Sequence, residues 1–145
     1  MFSGIIEDVG IILNVQKKDG GLNLDVKSVF SNDLTLGESV AHNGVCLTIT
    51  KCEKDYYTVN CVHETLSKTN LKTLRENSKI NLERSLLASS RISGHFVQGH
   101  VDCVGECCQI NNVTGSALFR FKYPAEHQNL IFEKIRPPPC LCIPL

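Results

Sequence analysis

Cysteine and histidine are the residues best able to do chemistry in this sequence, and their densest run is His100-x-x-Cys103-x-x-x-Cys107-Cys108. Zinc needs ligands that converge on one point, and the usual sign is a Cys-x-x-Cys pair, which this run lacks. If the run lies on a strand, positions 100 and 103 face opposite sides, so the thiols read as small packed hydrophobes rather than as metal ligands. Cys46 sits between Val45 and Leu47 with no basic neighbour to stabilise a thiolate. It reads as a packed thiol before a nucleophile, and a thiol lining a ligand pocket fits both. No phosphate loop, dinucleotide fingerprint or serine-hydrolase elbow occurs. What remains is a set of small and polar residues beside turn signals: Gly4, Ser39, Asn43, Thr48, Thr65, Gly99 and His100. Glycines let backbone amides approach a flat ligand, while hydroxyls and an imidazole can bond a polyol chain or ring heteroatoms. Taken singly, each such residue is more often a turn or cap.

The elements that must position these residues are strands. Leu22, Leu24 and Val26 alternate with Asn23, Asp25 and Lys27, a period of two that predicts a half-buried strand. Val45 to Thr50 and Tyr56 to Val62 are β-rich runs joined by a polar connector, Lys51 to Asp55, of hairpin length. Asn43-Gly44 is a second turn signal, because both residues tolerate positive φ. Glu64 to Leu74 has helix-like composition, interrupted at Asn70, which predicts two short helical turns. Ile80 and Leu82, then Phe96 to Val101 and Leu118 to Tyr123, resume the strand pattern. Many short strands with frequent turns predict an all-β barrel or sandwich.

Composition bounds the function. The 145 residues are 42% hydrophobic, enough for a real core, and 15 basic residues balance 15 acidic ones. No overall field draws nucleic acid or an anionic membrane, so neither is an expected partner. The opening residues meet Glu7 and Asp8 early and have no basic n-region, and no apolar run reaches membrane-span length. A cytoplasmic protein with its 8 cysteines reduced is the expectation.

The chain also resembles itself. Phe2-Ser3-Gly4-Ile5-Ile6-Glu7-Asp8-Val9-Gly10 returns as Val97-Gln98-Gly99-His100-Val101-Asp102-Cys103-Val104-Gly105, with Gly4, Val9 and Gly10 falling on Gly99, Val104 and Gly105. The same offset of 95 residues lays Leu24 to Lys27 on Phe119 to Lys122 with strand parity kept. Two copies of one β unit are implied. The second copy departs after Lys134 into a tail that holds four of the 5 prolines, and a triple proline cannot sit in a central strand.

Four segments carry a family likeness. Met1 to Glu7, Ser39 to Thr48 with its Asn43-Gly44 turn and Cys46-Leu47-Thr48, Glu64 to Leu71, and Gly94 to Asp102 together resemble riboflavin synthase of the two-barrel, lumazine-binding type. The resemblance implies a six-stranded Greek-key barrel over residues 1–96, the start of a second copy over 97–134, and an aberrant Pro-rich tail over 135–145. It implies a dismutation in which two 6,7-dimethyl-8-ribityllumazine molecules exchange a four-carbon unit, with no metal or other cofactor. Ring stacking and orientation then carry most of the catalysis. Carried over by position, the pocket is formed by Gly4, Ile5 and Ile6, by Cys46, Leu47 and Thr48, by Asn60, Cys61, Val62, His63, Glu64 and Thr65, and by Gly99, His100 and Val101, with Lys134 beside them. Phe2 closes it. His100 is the proton-transfer candidate, and Ser39, Cys46 and Thr48 complete the catalytic set. The family forms homotrimers whose active site joins the first barrel of one subunit to the second barrel of a neighbour, using a Ser-Leu-Thr turn that has no counterpart here. Trimerisation and full activity are therefore not expected of this chain. The expected alternative is a non-catalytic lumazine- or flavin-binding module, with a structural β domain as the third reading.

Overall fold

The computed structural model describes residues 1–89 and 91–130. Six strands close into an antiparallel barrel: β1 (Asp8–Lys18), β2 (Gly21–Lys27), β3 (Ser39–His42), β4 (Val45–Cys52), β5 (Tyr57–Cys61) and β6 (Lys79–Arg84). Their order around the wall is β1-β2-β5-β4-β3-β6, and β6 returns to β1 to close it. The alternation in β2 has the expected result, with Leu24 and Val26 fully buried and Asn23 and Asp25 outward. On the outside, Asp25 accepts from Asn14 at 3.1 Å and from Thr58 at 2.7 Å, a polar ladder across three strands. The Asn43-Gly44 turn joins β3 to β4 with φ of 50° and 82°, the left-handed region the dipeptide tolerates. The helical stretch splits as expected into α1 (His63–Lys68) and a 3₁₀ turn over Asn70–Thr73.

Side chains fill the barrel. Ile12, Leu24, Val26, Val40, Ile49, Tyr57, Val59, Ile80 and Leu82 are all at most 1% exposed, and Leu71 of the 3₁₀ turn joins the same core. A six-stranded barrel of this size has no room for a ligand beside such residues. Two polar groups share this interior. The Nδ1–H of His42 donates to the Val40 carbonyl at 3.0 Å, which leaves Nε2 to accept from the Tyr57 hydroxyl at 2.9 Å. Burial holds the His42 imidazole well below its usual range, at about 4, and pushes the Tyr57 phenol up.

A separate hairpin follows, β7 (Glu106–Val113) paired with β8 (Ser116–Lys122). Its register repeats that of β1 with β2 at the 95-residue offset. Ile12↔Val26 corresponds to Cys107↔Phe121, Val15↔Leu24 to Ile110↔Phe119, and the bulge between Ile12 and Asn14 to the one between Cys107 and Gln109. Phe119 and Phe121 are stacked on one face, with centroids 6.4 Å apart, and they remain partly exposed. Among the described residues no helix is long and apolar enough to cross a membrane.

One expectation fails. Phe96 to Val101 is not a strand: only Val97 forms a bridge, to Phe2. Gly99 has φ of 80°, which breaks the extended run, and its carbonyl turns to the barrel wall instead of to a ladder partner. The argument that 100 and 103 face opposite sides of a strand fails with it.

Candidate functional site

The site is built on the outer wall. Along β4, Val45, Leu47 and Ile49 point inward, so Cys46 and Thr48 point out. Directly opposite residues share a face, so Ser39 joins Thr48, and Ala41 joins Cys46 and, across β6, Glu83. The β4–β5 ladder runs from Ile49↔Val59 to Cys52↔Tyr57 and leaves the start of β4 outside it. A strap of chain takes that place: the Cys46 N–H donates to the Gly99 carbonyl at 2.9 Å. Val101 packs against the core beyond it. The approach is so close that a Cβ on Gly99 would lie 2.8 Å from the Cys46 Cβ, and only glycine fits.

Between this strap and α1 opens a cavity of about 350 Å³. Cys46, Thr65, Gly99, His100 and Val101 line it, together with Glu64, Lys68 and Asp102 at its charged side and Val45 and Thr69. The helix is fixed locally. Thr69 Oγ1 donates to the Thr65 carbonyl at 2.7 Å and accepts from the Leu71 N–H at 3.3 Å, so one hydroxyl ends α1 and opens the next turn. Lys68 bonds Glu64 at 2.9 Å, which lowers the Glu64 carboxyl and raises the Lys68 ammonium. The volume is at the small end for a small-molecule site. His100, which is exposed, can exchange protons with solvent and ligand, and the Thr65 hydroxyl can bond a polyol or a ring heteroatom.

Of the residues singled out in the sequence, the structure brings Cys46, Glu64, Thr65, Gly99, His100 and Val101 together. It does not bring the others into this cavity. Ser39 and Thr48 stand further along the same outer face, outside its lining. Leu47 is in the core, and so is Cys61, whose thiol is pushed up to about 12 by burial. Asn60, Val62 and His63 line another cavity, of about 460 Å³, where the Asn60 amide donates to Asn23 at 2.8 Å. The stretch from Asn60 to Thr65 is thus divided because α1 turns the chain at His63. Phe2 is 1% exposed and packed beneath the surface rather than closing the cavity. Gly4 donates its N–H to Glu83, and Ile5 lines a larger cavity of about 770 Å³ with Ser3, Glu83, Arg84 and Arg91. Ile6 lines neither. Lys134 and the Pro-rich tail over 135–145 lie outside the described residues.

Sequence reasoning missed Val45, Lys68, Thr69 and Asp102. The Glu64–Lys68 spacing of four and the paired Thr65 and Thr69 were visible signals of one helical face; Asp102 had none. The larger cavity is the weaker candidate, because its Glu7, Glu83 and Arg84 already have partners. Arg84 pairs with Glu7 at 2.8 Å and lies 5.0 Å from the Phe30 ring centroid. Among the described residues no three His, Cys, Asp or Glu side chains group to hold a metal.

The comparisons with known proteins bear on the family and the barrel fold. The model of the lumazine binding domain matches residues 3–85. The riboflavin synthase of Actinobacillus pleuropneumoniae is 38% identical over 135 residues, covering 92% of this chain and 63% of the relative. That of Bacillus subtilis is 41% identical over 123 residues, covering 84% and 57%. That of Mycobacterium bovis is 35% identical, covering 92% and 68%. The chain thus spans about three fifths of the length of the first relatives it matches. Among solved structures, LumP complexed with 6,7-dimethyl-8-(1'-D-ribityl)lumazine superposes with a TM-score of 0.76 at 21% identity, covering 87% of this chain and 71% of that one. With a closed six-stranded barrel, a matching domain model and relatives of this identity, the chain belongs to the lumazine-binding domain family, as riboflavin synthases do.

Proposed function

We propose that this chain binds 6,7-dimethyl-8-ribityllumazine on the outer wall of its barrel and acts as a riboflavin synthase. Two such molecules would exchange a four-carbon unit to give riboflavin and 5-amino-6-(D-ribitylamino)uracil. The observation that carries the reading is the convergence of Cys46, Thr65, Gly99 and His100 on one cavity. The structural neighbour LumP has been solved complexed with the ribityllumazine, with riboflavin and with flavin mononucleotide. The substrate supplies most of the reactivity, since one lumazine loses a proton from its 7-methyl group and the other accepts a nucleophile at an electron-poor ring carbon. The protein orients the rings, a contribution worth roughly 7–11 kcal/mol of barrier. His100 carries the proton at the rim. Thr65 and the backbone around Gly99 hold ring and polyol, and Ser39 and Thr48 extend the same face.

The reaction needs two ligands facing each other, and the second would come from a second copy of the domain or of the chain. The matched register of the two hairpins supports reading 97–134 as the start of that copy after a first barrel of 1–96. The homotrimer that the resemblance implies for the family is not part of the proposal for this chain. A cytoplasmic location without nucleic-acid or membrane partners is part of it, in line with the balanced charge. Incubation with the lumazine tests the reading: riboflavin fluorescence is expected to appear with time. Saturable binding without turnover selects the non-catalytic lumazine- or flavin-binding module, favoured by one complete barrel among the described residues.

A further inference from the structure

Two straps cross the outer wall along the row formed by Glu83, Ala41 and Cys46 on β6, β3 and β4. The 97–99 strap is fixed at one end of the row, where Gly99 meets Cys46. The N-terminal strap is fixed at the other. There Glu83, only 3% exposed, accepts the Ser3 N–H at 2.5 Å, the Ser3 hydroxyl at 2.6 Å and the Gly4 N–H at 3.1 Å. Ala41, between them, is 2% exposed although it faces outward. The straps are joined to each other: Phe2 and Val97 exchange N–H to carbonyl bonds at 2.8 and 2.9 Å, and the His95 N–H donates to the Ser3 carbonyl at 2.8 Å.

Among the described residues Glu83 has no guanidinium partner, since Arg84 is turned to Glu7. Its charge is met by the amides and hydroxyl of the N-terminal strap. A buried carboxylate that loses such donors is left uncompensated, so detaching the strap is costly. Because the second strap hangs on the first through Phe2 and Ser3, the same carboxylate biases where Gly99 and His100 sit.

We propose that Glu83 is a positioning residue for the ligand cavity, acting through Ser3, Phe2, Val97 and Gly99 on Cys46 and His100. This rests on reading that cavity as the ribityllumazine site. A contiguous hydrogen-bonded path is the physical warrant, and it needs a coupling measurement.

The test uses the 145-residue chain carrying Glu83→Ala or Glu83→Gln. Ribityllumazine affinity is read by fluorescence titration, and hydrogen exchange is read at the Cys46 and Val97 amides, with Val59 in the barrel as control. Glu83→Ala is expected to weaken binding about tenfold or more and to speed exchange at Cys46 and Val97 by about the same factor, with Val59 unchanged. Glu83→Gln keeps one oxygen to accept from Ser3 and falls between. A folded Glu83→Ala with parental exchange at Cys46, or with faster exchange and parental affinity, overturns the proposal. If Glu83→Ala does not fold, Ser3→Ala removes one donor without touching the barrel, and parental values of both readouts there overturn it equally. If the unaltered chain fails to bind the lumazine, the functional reading falls, and the exchange arm alone decides whether Glu83 controls the strap.

Discussion

Phe2 and Val97 pair their backbones in both directions, at 2.8 and 2.9 Å. They are also the two positions that the 95-residue offset makes equivalent. Antiparallel pairing of a residue with its own counterpart is what a local two-fold axis produces, so the strap that closes the candidate cavity is the partner, under the proposed repeat, of the strap that starts the chain. The cavity on one barrel is thereby completed by chain from beyond it.

Gly99→Ala puts a Cβ 2.8 Å from that of Cys46 at a backbone φ of 80°, which costs a non-glycine residue on the order of 1–2 kcal/mol before the clash is counted. The strap shifts rather than the barrel. Ligand affinity is expected to fall about tenfold or more by fluorescence titration while the barrel's amide protection is kept.

His42 makes the barrel acid-sensitive. Its folded value of about 4 lies below the unfolded 6.5, so the neutral imidazole contributes stability that is full above pH 6.5 and is lost as pH falls through 4. Denaturant melts at pH 7 and pH 4 are expected to differ by about 3 kcal/mol from this residue. At pH 7, Tyr57→Phe is expected to cost about 1–3 kcal/mol by leaving His42 Nε2 without its donor.

The thiols of Cys46 and Cys61 separate the cavity from the core. Cys61 is fully buried with its thiol pushed up to about 12, so alkylation at pH 8 is expected to spare it until the barrel unfolds. Cys46 lines the cavity, and ribityllumazine is expected to slow its alkylation several-fold, as read by peptide mass spectrometry.

His100→Ala is expected to slow turnover more than it weakens binding, because the side chain lines the cavity and its proposed role is proton transfer. Steady-state kinetics against a binding titration separate the two. Equal loss in both reduces His100 to a contact residue.

Several features were legible in the sequence because their causes are local. The alternation of Leu22, Leu24 and Val26 set which face of β2 is buried, and Asn43-Gly44 set a turn whose φ values few other residues tolerate. The offset of 95 residues, seen as matching glycines, reappears as one hydrogen-bond register in two hairpins, down to the bulge. β1 was harder to read, because Val9, Ile11 and Leu13 are exposed while Gly10 and Ile12 are buried, and apolar residues on both faces hide a period of two. Tertiary structure alone decided the rest. Glu83 and Ser3 are 80 residues apart, and no local pattern marks a glutamate as the anchor of a distant strap. The run from Phe96 to Val101 has strand composition, yet it lies as a strap because the start of β4 is left outside the β5 ladder and Gly99 supplies the carbonyl that Cys46 needs. The interior of the barrel is closed by its own side chains, so the candidate cavity lies on the outer wall, where residues from β4, α1 and the strap meet only after the chain has folded.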